Sequence, residues 1–275
     1  MTWPGIDDFI VSRLDKHSIK SKNDLLVHSD TSLSQLLGIS ISSCRDLILK
    51  VQPVKPIDIA NEHDYISSSL SQLDSSLGNG FERGWLVEIF GEAGSGKTQW
   101  CFTIAVHALR NGTRVIWIDS ENSFRPERIV EIAQETKLLD RICICKCNSM
   151  EQLLMIMTEF SEDPESVIIV DSIAALGRNN MKKICERQEL IHKFAILAKK
   201  LTKSLVICTN QVIADFTNTS FKPALGNTWS HDVTCRIWLR MDPQHGKRFI
   251  DVQKAPSCGK ITLPVLITPL GVIDD

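Results

Sequence analysis

Past residue 85 the chain carries a series of short apolar runs, WLVEIF, RVIWID, RICICKC, SVIIVD and SLVICT, separated by polar stretches. Runs of strand length, rich in Val and Ile and bounded by turn residues, predict buried parallel strands. The intervening stretches have helical spacing. TQWCFTIAVHALR puts Cys101, Ile104, Ala105 and Ala108 on one face, and ERQELIHKFAILAKKLTK does the same with Leu190, Phe194, Leu197 and Leu201. Strand alternating with helix predicts an α/β fold with a doubly wound, mainly parallel sheet. After residue 232 the helical pattern stops. VTCRIWLRM, KRFIDVQ and ITLPVLIT follow at short intervals, so the sheet is expected to end in antiparallel strands.

The first 50 residues read differently. In LLGISISSCRDLILKV (36–51) a glycine separates two apolar-periodic pieces, which predicts two short helices at a tight turn, as in a helix-hairpin-helix. Residues 1–50 are therefore expected to form a small helical domain. Its six basic residues (Arg13, Lys16, Lys20, Lys22, Arg45, Lys50) face six acids (Asp7, Asp8, Asp15, Asp24, Asp30, Asp46), so no basic surface is evident. Packing or partner binding accounts for this domain as well as DNA contact does. VQPVKPIDIANEHDY (51–65) has two prolines and little periodicity and reads as a linker, leaving 66–275 as the core. The core opens with ISSSLSQLDSSLGNG, where Leu70, Leu73 and Leu77 predict a short capped helix.

Composition narrows the class. The net charge of −2 means that nucleic-acid binding would rest on local basic loops. No apolar run reaches the ~18 residues of a membrane span. The N-terminal MTWPGIDDFIVSRLDKH places acids where a secretory signal has a basic start and an apolar core. Nine cysteines, an odd number without paired spacing, suit a reducing compartment. Cys143, Cys145 and Cys147 alternate on a strand, roughly 6.5–7 Å apart along it, which favours buried apolar packing over a tetrahedral metal site.

The most specific chemistry lies in GEAGSGKTQ: Gly91, Glu92, Ala93, Gly94, Ser95, Gly96, Lys97, Thr98 and Gln99. The G-x-x-x-x-G-K-[ST] pattern follows a strand and opens a helix, the context a phosphate loop requires. Its glycines let backbone N–H groups turn toward phosphate oxygens, and the helix N-terminus adds a favourable field. Lys97 is expected at the β- and γ-phosphates and Thr98 at Mg²⁺. Asp171, ending SVIIVD, is the expected carboxylate partner for the metal. Glu121, after RVIWID, is the candidate for positioning the attacking water, with capping of the following turn as its alternative role. SLVICTNQ ends in Asn210 and Gln211, amides placed to sense a γ-phosphate.

Taken together, GEAGSGKTQ, WIDSENSFRPERIVEIA, IIVDS and TNQV resemble, in order and spacing, the RecA family. Within it they are similar to the eukaryotic recombinases and their recombination-mediator paralogues. The likeness covers roughly residues 65–275. It implies a RecA-like P-loop core that binds ATP and Mg²⁺, with Glu121 as the catalytic glutamate, Arg128 against adenine and Gln211 as γ-phosphate sensor. The Leu-Gly-x-x-Trp signature (225–229) and the Trp-x-His ending, Trp229 and His231, resemble the B and C types of mediator paralogue. Trp229 reads as a packing anchor and His231 as a structural hydrogen-bonding residue. KAPSCGK (254–260) stands where family members cap the ATP of a neighbouring subunit.

The departures from the recombinase pattern carry their own implications. The two loops that contact DNA in the family fall within LGRNNMKKICERQ and ADFTNTSFKPALGN, both short. Arg178, Lys182, Lys183 and Lys222, with Phe216 and Phe221, form either a single-stranded DNA contact or a subunit-interface surface. The aromatic of the recombinase polymerisation motif is replaced by Ile57, with Ala60 in the matching place. A smaller apolar anchor implies weaker self-assembly. The resemblance therefore implies a hetero-oligomer with other paralogues or a cap on a recombinase filament, weak DNA-dependent ATPase activity, a role at double-strand breaks with a meiotic variant open, and a nuclear location. A RecA-fold helicase or ring motor, a phosphotransferase, and a structural paralogue with little hydrolysis are the competing readings.

Overall fold

The computed structural model describes residues 3, 6–17, 19–20, 24–25, 28–51, 65–160, 165–178, 184–215, 220–242 and 244–275. The chain divides into two compact units, Met1–Glu62 and His63–Asp275. Most of the stretch read as a linker, including Ile57 and Ala60, lies outside the described residues, as do Lys182, Lys183 and Phe216.

In the first unit, helices α1 (Asp8–Lys16), α2 (Asp30–Leu37) and α3 (Ile41–Val51) surround a small apolar core of Leu14, Ile19, Leu25, Leu33, Leu37, Cys44 and Leu47. The Asp7 carboxylate accepts from Phe9 N at the start of α1, and Ser29 Oγ accepts from Ser32 N at the start of α2. Both satisfy N–H groups that a helix start leaves free. Gly38 ends α2 in the left-handed region (φ 60°), where a Cβ is disfavoured. The Arg13 guanidinium donates to the Leu37 carbonyl just before it. The turn expected between two helices in 36–51 is present.

The second unit begins with a two-stranded antiparallel ribbon, β1 (Tyr65–Ile66) with β2 (Phe81–Glu82), around helix α4 (Ser71–Leu77). Leu70 at the N-cap of α4 supplies no side-chain bond, contrary to the capped helix read from the sequence. The Asp274 carboxylate, from the far end of the chain, accepts from Ser71 N at 2.8 Å instead. A cap borrowed across 203 positions leaves no local signature.

A large sheet follows. Its order is β12-β11-β10-β9-β3-β7-β6-β4-β5, with β8 paired to β7. Strands β3 (Leu86–Gly91), β4 (Arg114–Asp119), β5 (Ile142–Lys146), β6 (Ser166–Asp171), β7 (Leu205–Asp215) and β9 (Cys235–Met241) pair in parallel. Then β10 (Arg248–Lys254), β11 (Ile261–Thr268) and β12 (Gly271–Asp274) continue it antiparallel. Strand β8 (Ser220–Pro223) folds back on the long β7 as a hairpin. This is the RecA-like α/β core expected, with β12 as a strand the sequence pattern did not reveal.

Helices cover both faces. One apolar cluster joins α5 (Lys97–Arg110) and α6 (Pro126–Ala133) to the sheet, with Trp117 stacked on Phe102 at 4.6 Å. The other joins α7 (Met150–Glu159), α9 (Ile184–Lys200) and α10 (Gly226–Asp232). Two patterns need correction. Helix α5 is not amphipathic: Trp100 to Val106, Ala108 and Leu109 are all buried, so its apolar surface runs almost all round. The RICICKC strand is not enclosed either. It forms a sheet edge, with Ile144 49% exposed, while Cys143, Cys145 and Cys147 pack against the second cluster. No helix among the described residues is long and apolar enough to cross a membrane.

Candidate nucleotide site

Parallel strands all point their C-terminal ends the same way, and here those ends belong to β3, β7, β6 and β4, side by side. The chain leaves β3, β6 and β4 into segments that bear polar residues, and β7 carries Thr209, Asn210 and Gln211 within the strand, so functional groups far apart in sequence gather along one rim. From β3 the chain enters the glycine loop Gly91–Gly96, after which Lys97 opens α5. Gly94 and Gly96 sit at φ 76° and 113°, which side chains rarely adopt. A Cβ at Gly91 would collide with the Leu239 carbonyl, and one at Gly96 with the Ile267 side chain. The loop therefore needs its glycines for both conformation and close approach. Ala93 is exposed at its outer turn, and the Glu92 carbonyl accepts from Ser95 N and from Lys97 Nζ.

Beside the loop lies an open cleft of about 480 Å³, lined by Gly94, Gly96, Lys97, Thr98, Gln99, Arg248 and Ile267. Its size falls in the usual range for small-molecule sites. Lys97 Nζ donates to the Gly91 carbonyl (3.0 Å) and the Glu92 carbonyl (2.8 Å). Burial lowers the Lys97 pKa from its ordinary value, and the carboxylates of Asp171 and Glu121 oppose that shift. The ammonium thus stands among acids, close to the backbone that would hold phosphate.

Thr98 Oγ1 donates to Asp171 Oδ2 at 2.9 Å, which brings together the two residues expected at the metal. Asp171 ends β6 almost fully buried. Its carboxylate also accepts from Ser123 Oγ (2.7 Å) and Thr209 Oγ1 (2.5 Å). Three hydroxyl donors, from the first turn of α5, the loop after β4 and strand β7, fix its orientation. Asp119, ending β4, shapes the next loop by accepting from the backbone N–H groups of Glu121, Ser123 and Phe124. That loop carries Glu121, whose Oε1 accepts from Ser172 Oγ (2.6 Å) and Gln211 Nε2 (3.2 Å). The predicted catalytic glutamate and predicted sensor are therefore in direct contact.

Arg128, on α6, lies at the far side of the loop. Its Nε donates to Gln99 Oε1 (2.7 Å), and its terminal nitrogens reach Glu131 and the carbonyls of Thr268 and Pro269. These bonds hold the guanidinium between the first turn of α5 and the turn after β11. Arg248, on β10, was missed by sequence reasoning. Its Nε donates to the Ser95 carbonyl at 3.2 Å, placing a cation beside the glycine loop. Only its position in KRFIDVQ, a basic residue at the start of a strand, could have hinted at it.

Other calls fall away from this rim. Trp229 is fully buried and stacked near Phe194 at 6.2 Å, as expected of a packing anchor. His231 is exposed near the end of α10, where Lys254 Nζ caps the carbonyls of Ser230, His231 and Val233. Arg178 ends the short helix α8 (Ile173–Arg178), and Phe221 and Lys222 belong to β8. Burial raises the Cys101 and Cys208 thiols well above their ordinary range, so neither is a nucleophile for this site.

The residues present fit a Mg²⁺–nucleoside triphosphate: a glycine cradle with no room for a Cβ at Gly91 or Gly96, a lysine at its mouth, and a threonine–aspartate pair placed to hold a metal. Comparison with known proteins agrees with this chemistry. Residues 62–275 match the family model described as Rad51. The chain is 31% identical to the meiotic recombination protein DMC1 homolog of Lilium longiflorum, over 98% of this chain and 87% of that protein. It is 30% identical to the DMC1 homolog of Arabidopsis thaliana and to DMC1 homolog A of Oryza sativa subsp. indica, with 98% of this chain and 88% of each covered. With the match spanning the whole second unit and relatives aligned over nearly the full length, this chain belongs to the Rad51 family.

Proposed function

We propose that this chain is an ATP-binding protein of homologous recombination that acts as a mediator paralogue of the strand-exchange recombinase in the nucleus, at double-strand breaks, including meiotic ones. The observation that carries the reading is the convergence of Lys97, the Thr98–Asp171 pair and the Glu121–Gln211 pair on one rim of the sheet. Relatives named as meiotic recombination proteins support the process. The Leu225-Gly226-x-x-Trp229 signature and the Ile57 in place of an aromatic anchor support the paralogue role.

In this reading Lys97 would bind the β- and γ-phosphates, and Thr98 and Asp171 would hold the metal. Mg²⁺ bound with ATP supplies neutralisation of phosphate charge. Glu121 orients a water and accepts its proton, and Gln211, bonded to Glu121, links that carboxylate to the hairpin that follows β7. Arg128 would lie against the adenine base. Hydrolysis is weak and DNA-dependent, and a neighbouring subunit completes the site. ATP binding then favours assembly with other paralogues and with recombinase on single-stranded DNA, and hydrolysis favours release. Arg178, Lys182, Lys183, Phe216, Phe221 and Lys222 are the candidate DNA contacts.

An affinity pull-down from native cells with ATP present, using the parent chain and Lys97→Ala, tests this. The parent is expected to recover recombinase paralogues and the mutant to lose them. Recovery of no recombination protein by either bait would refute the mediator role.

A further inference from the structure

Glu88 is a carboxylate in the middle of an apolar strand. It has no solvent exposure, and it sits on β3, three residues before the glycine loop. The strand pairs with β7 on one side, Glu88 beside Cys208 and Phe90 beside Asn210. On the other side it pairs with β9, Glu88 beside Arg236 and Phe90 beside Trp238. Period two puts Glu88 on the same side as Leu86, facing the cluster that holds Trp229.

Its partners come from both neighbours. Asn210 Nδ2 donates to Oε1 at 2.6 Å, and Arg236 Nε lies 2.6 Å from Oε2. The Arg236 guanidinium also lies over the Phe90 ring, 5.1 Å from its centroid, and Phe90 stacks on Trp238. Asn210 is fully buried too, and its Oδ1 accepts from Gln211 N at 2.8 Å. Gln211 then reaches Glu121. A continuous polar line runs Arg236–Glu88–Asn210–Gln211–Glu121, from β9, the strand on which the antiparallel part of the sheet begins, to the site.

Such a line is costly to bury. Well-packed apolar side chains would fill the place at equal or greater stability, so stability alone does not account for an ion pair there. The contacts are also incompletely used. The Arg236 N–H is off-axis to Oε2, and Arg236 Nη2 and Trp229 Nε1, both buried, lack hydrogen-bond partners among the described residues. Trp229 helps hold the Glu88 pKa down through its indole N–H, and it belongs to α10, the helix that follows the β7–β8 hairpin. Spare donors around one carboxylate give it more than one way to be satisfied. Burial raises the Glu88 pKa, and Arg236 is the strongest of the groups that hold it down.

We propose that Glu88, with Arg236 and Asn210, is a positioning cluster that fixes Gln211 and passes nucleotide occupancy of the glycine loop to the β7–β8 hairpin and α10. The inference rests on reading the rim as an ATP site, and its test separates the two.

Hydrogen–deuterium exchange is measured on the full chain with and without Mg²⁺ and a non-hydrolysable ATP analogue. The variants are Glu88→Gln/Arg236→Gln, which replaces the ion pair by a neutral pair, and Asn210→Ala, which cuts the line while leaving the ion pair. In the parent, nucleotide slows exchange in the glycine loop, and slows β7 beyond Gln211, β8 and α10 by a coupling on the order of 5–150-fold. In each variant that folds, loop protection remains, and the hairpin and α10 response falls below about twofold, outside that coupling range. A hairpin response like the parent's in either variant overturns the proposal, as does an equal loss in loop and hairpin, the mark of a merely structural role. A parent whose glycine loop does not respond refutes the ATP site itself, a separate failure.

Discussion

The two units of this chain use polar residues in opposite ways. In the second, Glu88, Asp119, Asp171 and Asn210 are buried; Glu88, Asp171 and Asn210 are tied to partners on other strands, and Asp119 to the backbone of the loop that follows it. In the first, every described buried residue is apolar or cysteine, and the described polar contacts are mostly local caps and exposed serine pairs. Burying a carboxylate costs several kcal/mol before its partners repay it. A fold that does so repeatedly along one rim is holding those groups for chemistry. The helical unit carries no comparable burden among its described residues.

The comparison can be broken at several points. The largest expected effect is in Glu121→Gln, which keeps the hydrogen bonds but removes the base and should cut ATP turnover by roughly 10²–10³-fold while ATP binding persists. Equal turnover in steady-state assays would move that role elsewhere. Asp171→Asn sets an amide against three hydroxyl donors and removes a metal partner, so Mg²⁺ enhancement of ATP binding should fall by about 10–100-fold. Titrating ATP with and without Mg²⁺ reads this directly; an undiminished metal effect would remove Asp171 from the metal position. Leu33→Ala opens the core of the helical unit and should destabilise it by about 2–5 kcal/mol, with ATP affinity unchanged. Thermal melts paired with nucleotide titration check both halves, and a loss of ATP affinity would show that the units are not chemically separate. The smallest effect is Asp7→Ala, loss of one helix cap, worth about 0.5–2 kcal/mol in the same melt.

Much of the rim was legible because its parts are local. A glycine loop between strand and helix, an aspartate ending an apolar run, and an acid just past a strand all announce themselves by neighbours in sequence; the strand expected to end at Asn210 and Gln211 instead runs on to Asp215, because its far end pairs with β8. Their convergence follows from parallel strands, so Thr98 meeting Asp171 and Glu121 meeting Gln211 could be expected before the fold was seen. What stayed hidden depends on partners distant in sequence. Arg248 reaches Ser95 across 153 positions, and Asn210 reaches Glu88 across 122. Arg236 and Glu88 meet because β9 pairs with β3, a register that no local spacing encodes. The one clue was the glutamate inside WLVEIF, a charge where the apolar run demanded none. The edge position of the cysteine strand was hidden for the same reason: burial on a sheet depends on strand order, and alternation cannot report it.

The central claim is that the rim binds Mg²⁺–ATP through the glycine loop. Calorimetric titration of Mg²⁺–ATP into the parent chain and Lys97→Ala tests it most directly. The account predicts saturable binding by the parent and a loss on the order of 100-fold in the mutant, the scale of removing a buried charged contact to phosphate. Equal affinity in the two proteins would contradict it.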